Sequence, residues 1–231
     1  MIDLSSCAPF GVESHPQPGC MRIVMPSYMG VPTDRCSELI VALQAQGCCI
    51  TKIVHSSNIE HARTRALAAA MQDGRASEFL LLDDDIFVEP DTIARIRACG
   101  RPFVGVLGAT KWPPHTITIK HEPGAEPVDG LLKVRGAAIQ CALIRRVCIE
   151  KAWHAFPDRR CRLGQVPMLA LFDSPIIDGE LYSEDMAFCL HLREIGYPME
   201  VMTDADVQHG AVRANMARRT VDKLSVSEAT P

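Results

Sequence analysis

Two patterns of hydrophobic residues, one typical of strands and one typical of helices, alternate along the first hundred residues of the chain. Short β-rich runs at residues 21–25, 49–55 and 79–82 have the length and composition of strands. The segments between them carry apolar residues every three or four positions, which is typical of helices. This βαβαβα order predicts a parallel sheet with right-handed crossovers, and residues 103–106 are expected to form its fourth strand.

Residues that cap or break helices set the predicted helix ends. The expected helices of the first half begin at Thr33 or Asp34, at Ser57 or Asn58 and at Glu89, and end near Gln46, Gly74 and Cys99. In the second half, strands are expected at residues 116–120, 131–134, 168–172 and 199–202, and helices from about 145 to 153 and from 183 to 195. The pattern predicts an α/β fold with an open, mixed, mostly parallel sheet flanked by helices.

Length and composition predict one large domain. The chain has 231 residues, of which 47% are hydrophobic and 23% are charged, so it can build a sizeable core. Residues 1–20 contain several prolines and glycines and are expected to form an irregular leader. We expect the domain to span residues 21–212 and residues 213–231 to form a polar tail.

Charge and apolar run length limit the classes of partner. The net charge is −4 and no basic block is present, which argues against nucleic acid as the main partner. Residues 1–12 do not resemble a secretory signal, and no apolar run approaches the roughly 20 residues of a membrane-spanning helix. The ten cysteines form no C-x-x-C pair, so we expect reduced thiols. The expected location is the cytoplasm, with peripheral association at the inner membrane face as an alternative.

Three consecutive carboxylates follow the third predicted strand. Asp83, Asp84 and Asp85 come directly after an apolar run, at the end where open α/β sheets place their ligands. Asp83 and Asp85 are hard oxygen ligands of the kind that hold Mg²⁺ or Mn²⁺ against phosphates. The alternative is a solvated acidic loop leading into the helix that starts at Glu89.

Other candidate side chains occur before and after this cluster. Glu184 and Asp185 occupy the first turn of a predicted helix, where they serve either the helix dipole or proton abstraction as a general base. His209 follows a predicted strand near residue 207 and is either a third metal ligand or a structural residue. Arg63 lies near the apolar face of its helix and either pairs with the aspartates or is a solvated charge.

The order of these motifs resembles that of GT-A fold glycosyltransferases of the family 2-like group. The resemblance covers about residues 21–210 and rests on residues 62–67, 83–86, 136–146, 183–185 and 209–210. It implies a metal-dependent enzyme that moves a sugar from a nucleotide-diphospho-sugar, with a UDP-sugar favoured, to a hydroxyl acceptor. The acceptor would be a glycan, a lipid-linked sugar or a small molecule.

The resemblance also implies roles for individual residues. The nucleotide base and ribose would be bound by Pro26, Ser27 and Tyr28, the Mn²⁺ or Mg²⁺ ion and the diphosphate by Asp83 and Asp85 with His209 completing the metal shell, and the acceptor proton by Asp185. Beyond the resemblance, further candidates are Arg63 and Asp84 for donor binding and Glu184 for the base. Residues 108–112 loosely resemble the sugar- or acceptor-side strand end of the family.

Two other functions are compatible with the sequence. A nucleotidyltransferase on a related scaffold is expected to carry a glycine-rich loop with Lys or Arg after the first strand, whereas residues 25–30 contain one glycine and no lysine. A non-catalytic sugar-nucleotide-binding protein would show affinity for the donor without turnover.

Overall fold

The structure is a computed structural model that describes residues 19–210 and 212–215. The predicted leader at 1–20 therefore lies outside the described residues up to residue 18, and the predicted tail lies outside them from residue 216. The helices are α1 (Asp34–Ala45), α2 (Ile59–Met71), α3 (Pro90–Ala98), α4 (Arg146–Ala155) and α5 (Glu184–Glu194).

Fifteen strands are found in the described part of the chain. They are β1 (Met21–Ser27), β2 (Cys49–Val54), β3 (Glu78–Leu82), β4 (Ile86–Val88), β5 (Phe103–Val106), β6 (Ile119–His121), β7 (Leu131–Ala137), β8 (Cys141–Arg145), β9 (Arg160–Leu163), β10 (Val166–Leu169), β11 (Ile176–Ile177), β12 (Glu180–Leu181), β13 (Glu200–Met202), β14 (Asp206–His209) and β15 (Val212–Asn215).

An eight-stranded sheet in the order β2-β1-β3-β8-β5-β13-β7-β6 forms the centre of the fold. All of its strands except β7 and β8 run in the same direction. The predicted α/β fold, with a mixed and mostly parallel sheet flanked by helices, is therefore confirmed. The chain leaves β1 toward β2 and later returns to the other side of β1 as β3, which makes the gap between β1 and β3 a topological switch point.

Helices cover both faces of this sheet. The buried residues of α1 and α3 share one hydrophobic cluster, and those of α2, α4 and α5 share the other. Strand β3 supplies both clusters, because Phe79 and Leu81 face one and Leu80 and Leu82 face the other. Burial on two faces explains why this strand reads as an uninterrupted apolar run.

The predicted helix starts agree with the structure. Thr33 caps α1 through the amide of Cys36, and Asn58 caps α2 through the amide of His61 at 2.8 Å. Ser183 stands at the N-cap position of α5, but its side chain makes no capping hydrogen bond.

Several strands differ from the sequence predictions. The short strands β4 and β9 were not predicted, and β10 ends at Leu169 instead of continuing to residue 172. Strand β15 reaches Asn215, three residues into the segment expected to be a polar tail. Strand β8 inserts antiparallel between β3 and β5, a long-range pairing that local periodicity does not specify.

In the described ranges, no helix is long and apolar enough to cross a membrane. The cysteines of the same ranges are free thiols.

Candidate functional site

The three aspartates lie at the carboxyl end of β3, beside the end of β1. Their backbone is fixed by three different parts of the fold. The amide of Asp83 donates to the carbonyl of Gln140 at 3.0 Å, and the carbonyl of Asp84 accepts from the amide of Thr33 at 2.8 Å. The carbonyl of Asp85 accepts from the amide of Gly210 at 2.9 Å. Each carboxylate is therefore presented from a rigid backbone position.

A cavity of about 380 Å³ opens at this switch point. We call it the cleft. It is lined by Pro26, Ser27, Tyr28, Ser56, Ser57, Ile59, Ala62, Arg63, Asp83, Asp84, Asp85, Lys111 and His209. The structure thus brings together every donor-binding and metal-binding candidate of the sequence analysis. Glu184 and Asp185 do not line the cleft, but both contact Arg63 behind it.

Asp84 is bound to the first strand. The Ser27 hydroxyl donates to Oδ2 of Asp84 at 2.5 Å and accepts from the amide of Gly30 at 3.0 Å. Ser27 is buried at the end of β1, whereas the following residue, Tyr28, is 64% exposed at the rim of the cleft. The serine therefore joins the loop after β1 to the aspartate run and leaves the tyrosine ring free to contact a ligand.

Arg63 joins two separate groups of carboxylates. Its side chain is only 7% exposed, and Nη2 donates to Oδ1 of Asp83 at 2.9 Å and to the carbonyl of Ile139 at 3.2 Å. Nη1 donates to Oε1 of Glu184 at 3.2 Å and pairs with Asp185. Burial raises the pKa of Asp83 above its ordinary value, although the charge of Arg63 acts to lower it. Arg63 is thus the main counter-ion of the inner half of the cleft.

Asp85 faces two nitrogen groups at the outer half of the cleft. Its Oδ1 lies 3.5 Å from Nε2 of His209, and its Oδ2 pairs with the ammonium of Lys111. The other ring nitrogen of His209, Nδ1, donates to the carbonyl of Ala109 at 2.8 Å. A carbonyl oxygen can only accept, so this contact requires a proton on Nδ1, and the side-chain amide nitrogen of Gln140 lies 3.2 Å from the same ring nitrogen. Burial lowers the pKa of His209, which favours the neutral ring.

The donor atoms fit a divalent cation only in part. Within residues 19–210 and 212–215, no group of three or more His, Cys, Asp and Glu side chains is arranged as a metal site. Asp85 and the Nε2 atom of His209 converge, and the hydrogen bond to Ala109 orients the ring as it does for many metal-bound histidines. Asp83, the other expected ligand, is engaged by Arg63 instead. The protein side of a metal shell would therefore consist of Asp85 and His209.

Lys111 also lines the cleft; it lies within residues 108–112, which loosely resemble a sugar- or acceptor-side strand end, but no role was predicted for the lysine itself. It follows β5, whose carboxyl end lies at the same edge of the sheet as that of β3. A lysine shortly after a strand of that orientation is a usable signal for a phosphate-binding side chain. The signal was obscured because β8 separates the two strands in the sheet.

Comparisons with known proteins leave the family open. No protein-family model matches the chain, and no curated protein matches its sequence. Among solved structures, A197 from STIV is similar with a TM-score of 0.52 at 13% identity, over 82% of this chain and 85% of that one. At this identity the likeness shows a shared fold alone.

Two weaker likenesses add nothing to that conclusion. UDP-glucose pyrophosphorylase complexed with UDP-glucose has a TM-score of 0.42 at 8% identity, over 85% of this chain and 75% of that one. A glycosyltransferase involved in the glycosylation of the major capsid of PBCV-1 has a TM-score of 0.33 at 15% identity, over 59% of this chain and 66% of that one. The structural neighbours thus include a glycosyltransferase and a nucleotidyltransferase.

Proposed function

We propose that the protein is a glycosyltransferase that binds a nucleotide-diphospho-sugar together with a divalent cation. The observation that carries this proposal is the excess of negatively charged side chains in and behind the cleft. The carboxylates are Asp83, Asp84, Asp85, Glu184 and Asp185, and the cationic side chains that pair with them are Arg63 and Lys111. A diphosphate is itself anionic, so it can enter this cleft only if a cation of high charge accompanies it.

Asp85 and His209 are the residues that would hold Mn²⁺ or Mg²⁺. A carboxylate oxygen suits both ions, and a neutral imidazole adds a further bond without adding charge. When bound, the cation would neutralise the diphosphate and make it a better leaving group. The nucleoside would lie along Pro26, Ser27 and Tyr28, because these residues line the cleft at the end of β1.

Asp185 is the proposed general base. It lies in the first turn of α5 and pairs with Arg63. Its carboxylate would take the acceptor hydroxyl proton as the acceptor oxygen forms a bond to the anomeric carbon. In the same step the bond from that carbon to the phosphate oxygen breaks, and its electron pair leaves with the nucleoside diphosphate.

The test is a thermal-shift panel of UDP-, GDP- and dTDP-sugars with Mn²⁺, followed by product analysis of any sugar that binds. A ligand present at a hundredfold excess over its Kd stabilises the folded state by about 2.7 kcal/mol, so a donor should stand out. We expect release of a nucleoside diphosphate that depends on Mn²⁺. If added pyrophosphate instead causes release of a sugar phosphate from the same donor, the protein is a nucleotidyltransferase. Binding without turnover would identify a non-catalytic binding protein.

A further inference from the structure

Two hydrogen bonds hold the backbone between the end of β5 and Lys111. The amide of Gly108 donates to Oε1 of Gln140 at 2.6 Å, and the carbonyl of Ala109 accepts from Nδ1 of His209 at 2.8 Å. The histidine that faces Asp85 therefore also positions the segment that carries the lysine.

The backbone after Lys111 closes into a turn. The amide of Thr110 donates to the carbonyl of Thr116 at 2.9 Å, and the hydroxyl of Thr110 donates to the carbonyl of Trp112 at 3.0 Å. These bonds present the Lys111 side chain to the cleft from a short pinned segment. That side chain is 44% exposed, so it can change rotamer without unpacking the core.

The ammonium of Lys111 and a divalent cation would compete for one carboxylate. Lys111 pairs with Oδ2 of Asp85, while Nε2 of His209 faces Oδ1. Two positive charges a few ångströms apart repel each other, and a divalent ion doubles this repulsion. A cation held by Asp85 and His209 would therefore drive the ammonium off the carboxylate.

We propose that Lys111 is an exchangeable counter-ion, which pairs with Asp85 before the cation binds and with the donor diphosphate afterwards. This inference rests on the proposed function and assigns a phosphate-binding residue to the same cleft. A lysine suits the role because its ammonium is a compact charge with three donors on a flexible stem. Arg63 does not suit it, because that side chain is buried and held by three carboxylates.

The proposal predicts effects of opposite sign in a single variant. Lys111→Met removes the competitor for Asp85, so Mn²⁺ alone should bind about tenfold more tightly. The same variant lacks the phosphate contact, so a nucleoside diphosphate at saturating Mn²⁺ should bind about tenfold more weakly. Lys111→Arg keeps the charge and should keep the Mn²⁺ affinity of the parent protein. A lysine with only a structural role would not produce this pair of effects.

Lys120 offers a matched control. Its side chain is 43% exposed and also forms an ion pair, with Glu180, but it does not line the cleft. Lys120→Met should leave both affinities at their parent values. A change in Lys120→Met equal to that in Lys111→Met would mean that net charge, and not the contact with Asp85, determines the affinities, and it would overturn the proposal.

The experiment is calorimetric titration of the full chain, first with Mn²⁺ alone and then with whichever of UDP, GDP and dTDP the parent binds most tightly. Tighter Mn²⁺ binding together with weaker diphosphate binding in Lys111→Met supports the proposal. Unchanged or weaker Mn²⁺ binding in that variant overturns it. The proposed function has its own failing result, which is that the parent at saturating Mn²⁺ binds none of the three nucleotides. In that case the titration with Mn²⁺ alone still decides whether Lys111 competes with the metal.

Discussion

Acidic residues lie at both ends of β3, buried at the amino end and half-buried at the carboxyl end, and the charge balance differs between the two ends. At the amino end, the side chain of Glu78 is 4% exposed and accepts from Nε of Arg97 at 2.9 Å and from Nη1 of Arg145 at 2.7 Å. One carboxylate here has two guanidinium partners. At the carboxyl end, three aspartates and the nearby α5 carboxylates share Arg63 and Lys111.

This difference separates a structural ion cluster from the proposed binding site. The Glu78 cluster satisfies both carboxylate oxygens within the protein, so it stabilises the fold and leaves nothing for a ligand. The cleft has fewer cationic side chains than carboxylates, and like-charged carboxylates packed together are costly unless a further cation joins them. We infer that a divalent cation supplies the missing positive charge and thereby allows the anionic donor to bind.

The largest expected effect belongs to the proposed base. Asp185→Asn should lower turnover by about 10²–10⁴-fold and leave donor and metal affinity nearly unchanged, because proton abstraction is lost while the cleft is kept. Steady-state kinetics and donor titration on the same preparation measure the two quantities.

Glu184→Gln is the matched control for that variant, since both residues lie in the same turn and both contact Arg63. We expect it to be the milder change. A turnover loss confined to Glu184→Gln would transfer the role of base to Glu184. Normal turnover in both variants would favour a retaining mechanism, in which the donor phosphate takes the acceptor proton.

The next effect is on metal-dependent nucleotide binding. Asp85→Asn removes a charged ligand and should cost on the order of 2–5 kcal/mol of binding free energy. His209→Ala should cost less, because a neutral imidazole contributes one bond and no charge. Isothermal titration with Mn²⁺ measures both, and Asp129→Asn, in an exposed turn, is the control. A His209→Ala variant with parent affinity would make that residue purely structural.

The amino end of β3 should respond in the opposite way. Glu78→Gln leaves two guanidinium groups without their charged acceptor, so it should lower the free energy of unfolding by about 1–3 kcal/mol and leave nucleotide affinity unchanged. Urea denaturation measures the first quantity, with exposed Glu126→Gln as the control. Loss of nucleotide binding in a folded Glu78→Gln protein would contradict the division between the two ends.

The smallest effect is a pH dependence on the amino side of the sheet. A hydrogen bond from Nη2 of Arg22, at 2.6 Å, holds the pKa of Asp73 at about 2, below its ordinary value of 3.8. A carboxyl with a depressed folded-state pKa stabilises the protein above its ordinary pKa, and this contribution is lost as the pH falls toward the folded value.

Asp73→Asn should therefore destabilise the protein at pH 7 by about 2 kcal/mol or less, and the difference from the parent should shrink as the pH falls from 3.8 toward 2. Chemical denaturation across this range checks the sign. A difference that grows at low pH would be inconsistent with the Arg22 hydrogen bond.

The sequence predicted the positions of the candidate residues where local rules apply. An apolar run followed by aspartates places carboxylates at the carboxyl end of a buried strand, and helix periodicity placed Arg63 near the apolar face of α2. These residues do meet in one cleft, together with Pro26, Ser27, Tyr28 and His209.

Contacts between distant segments could not be predicted in the same way. Glu78 reads as an ordinary strand start, and its burial depends on arginines that arrive from α3 and β8. Lys111 meets Asp85 only because β5 and β3 share an orientation across the intervening β8. Single-sequence periodicity contains no information about which strands become neighbours.

The most direct test of the central claim is calorimetric titration of a nucleoside diphosphate into the parent protein, with Mn²⁺ and with EDTA. If the carboxyl end of β3 is short of positive charge, binding should occur with Mn²⁺, disappear with EDTA, and be lost in Asp85→Asn but kept in Glu78→Gln. Equal affinity with Mn²⁺ and with EDTA would contradict the claim, because the nucleotide would then enter the carboxylate cleft without the cation that the charge balance requires.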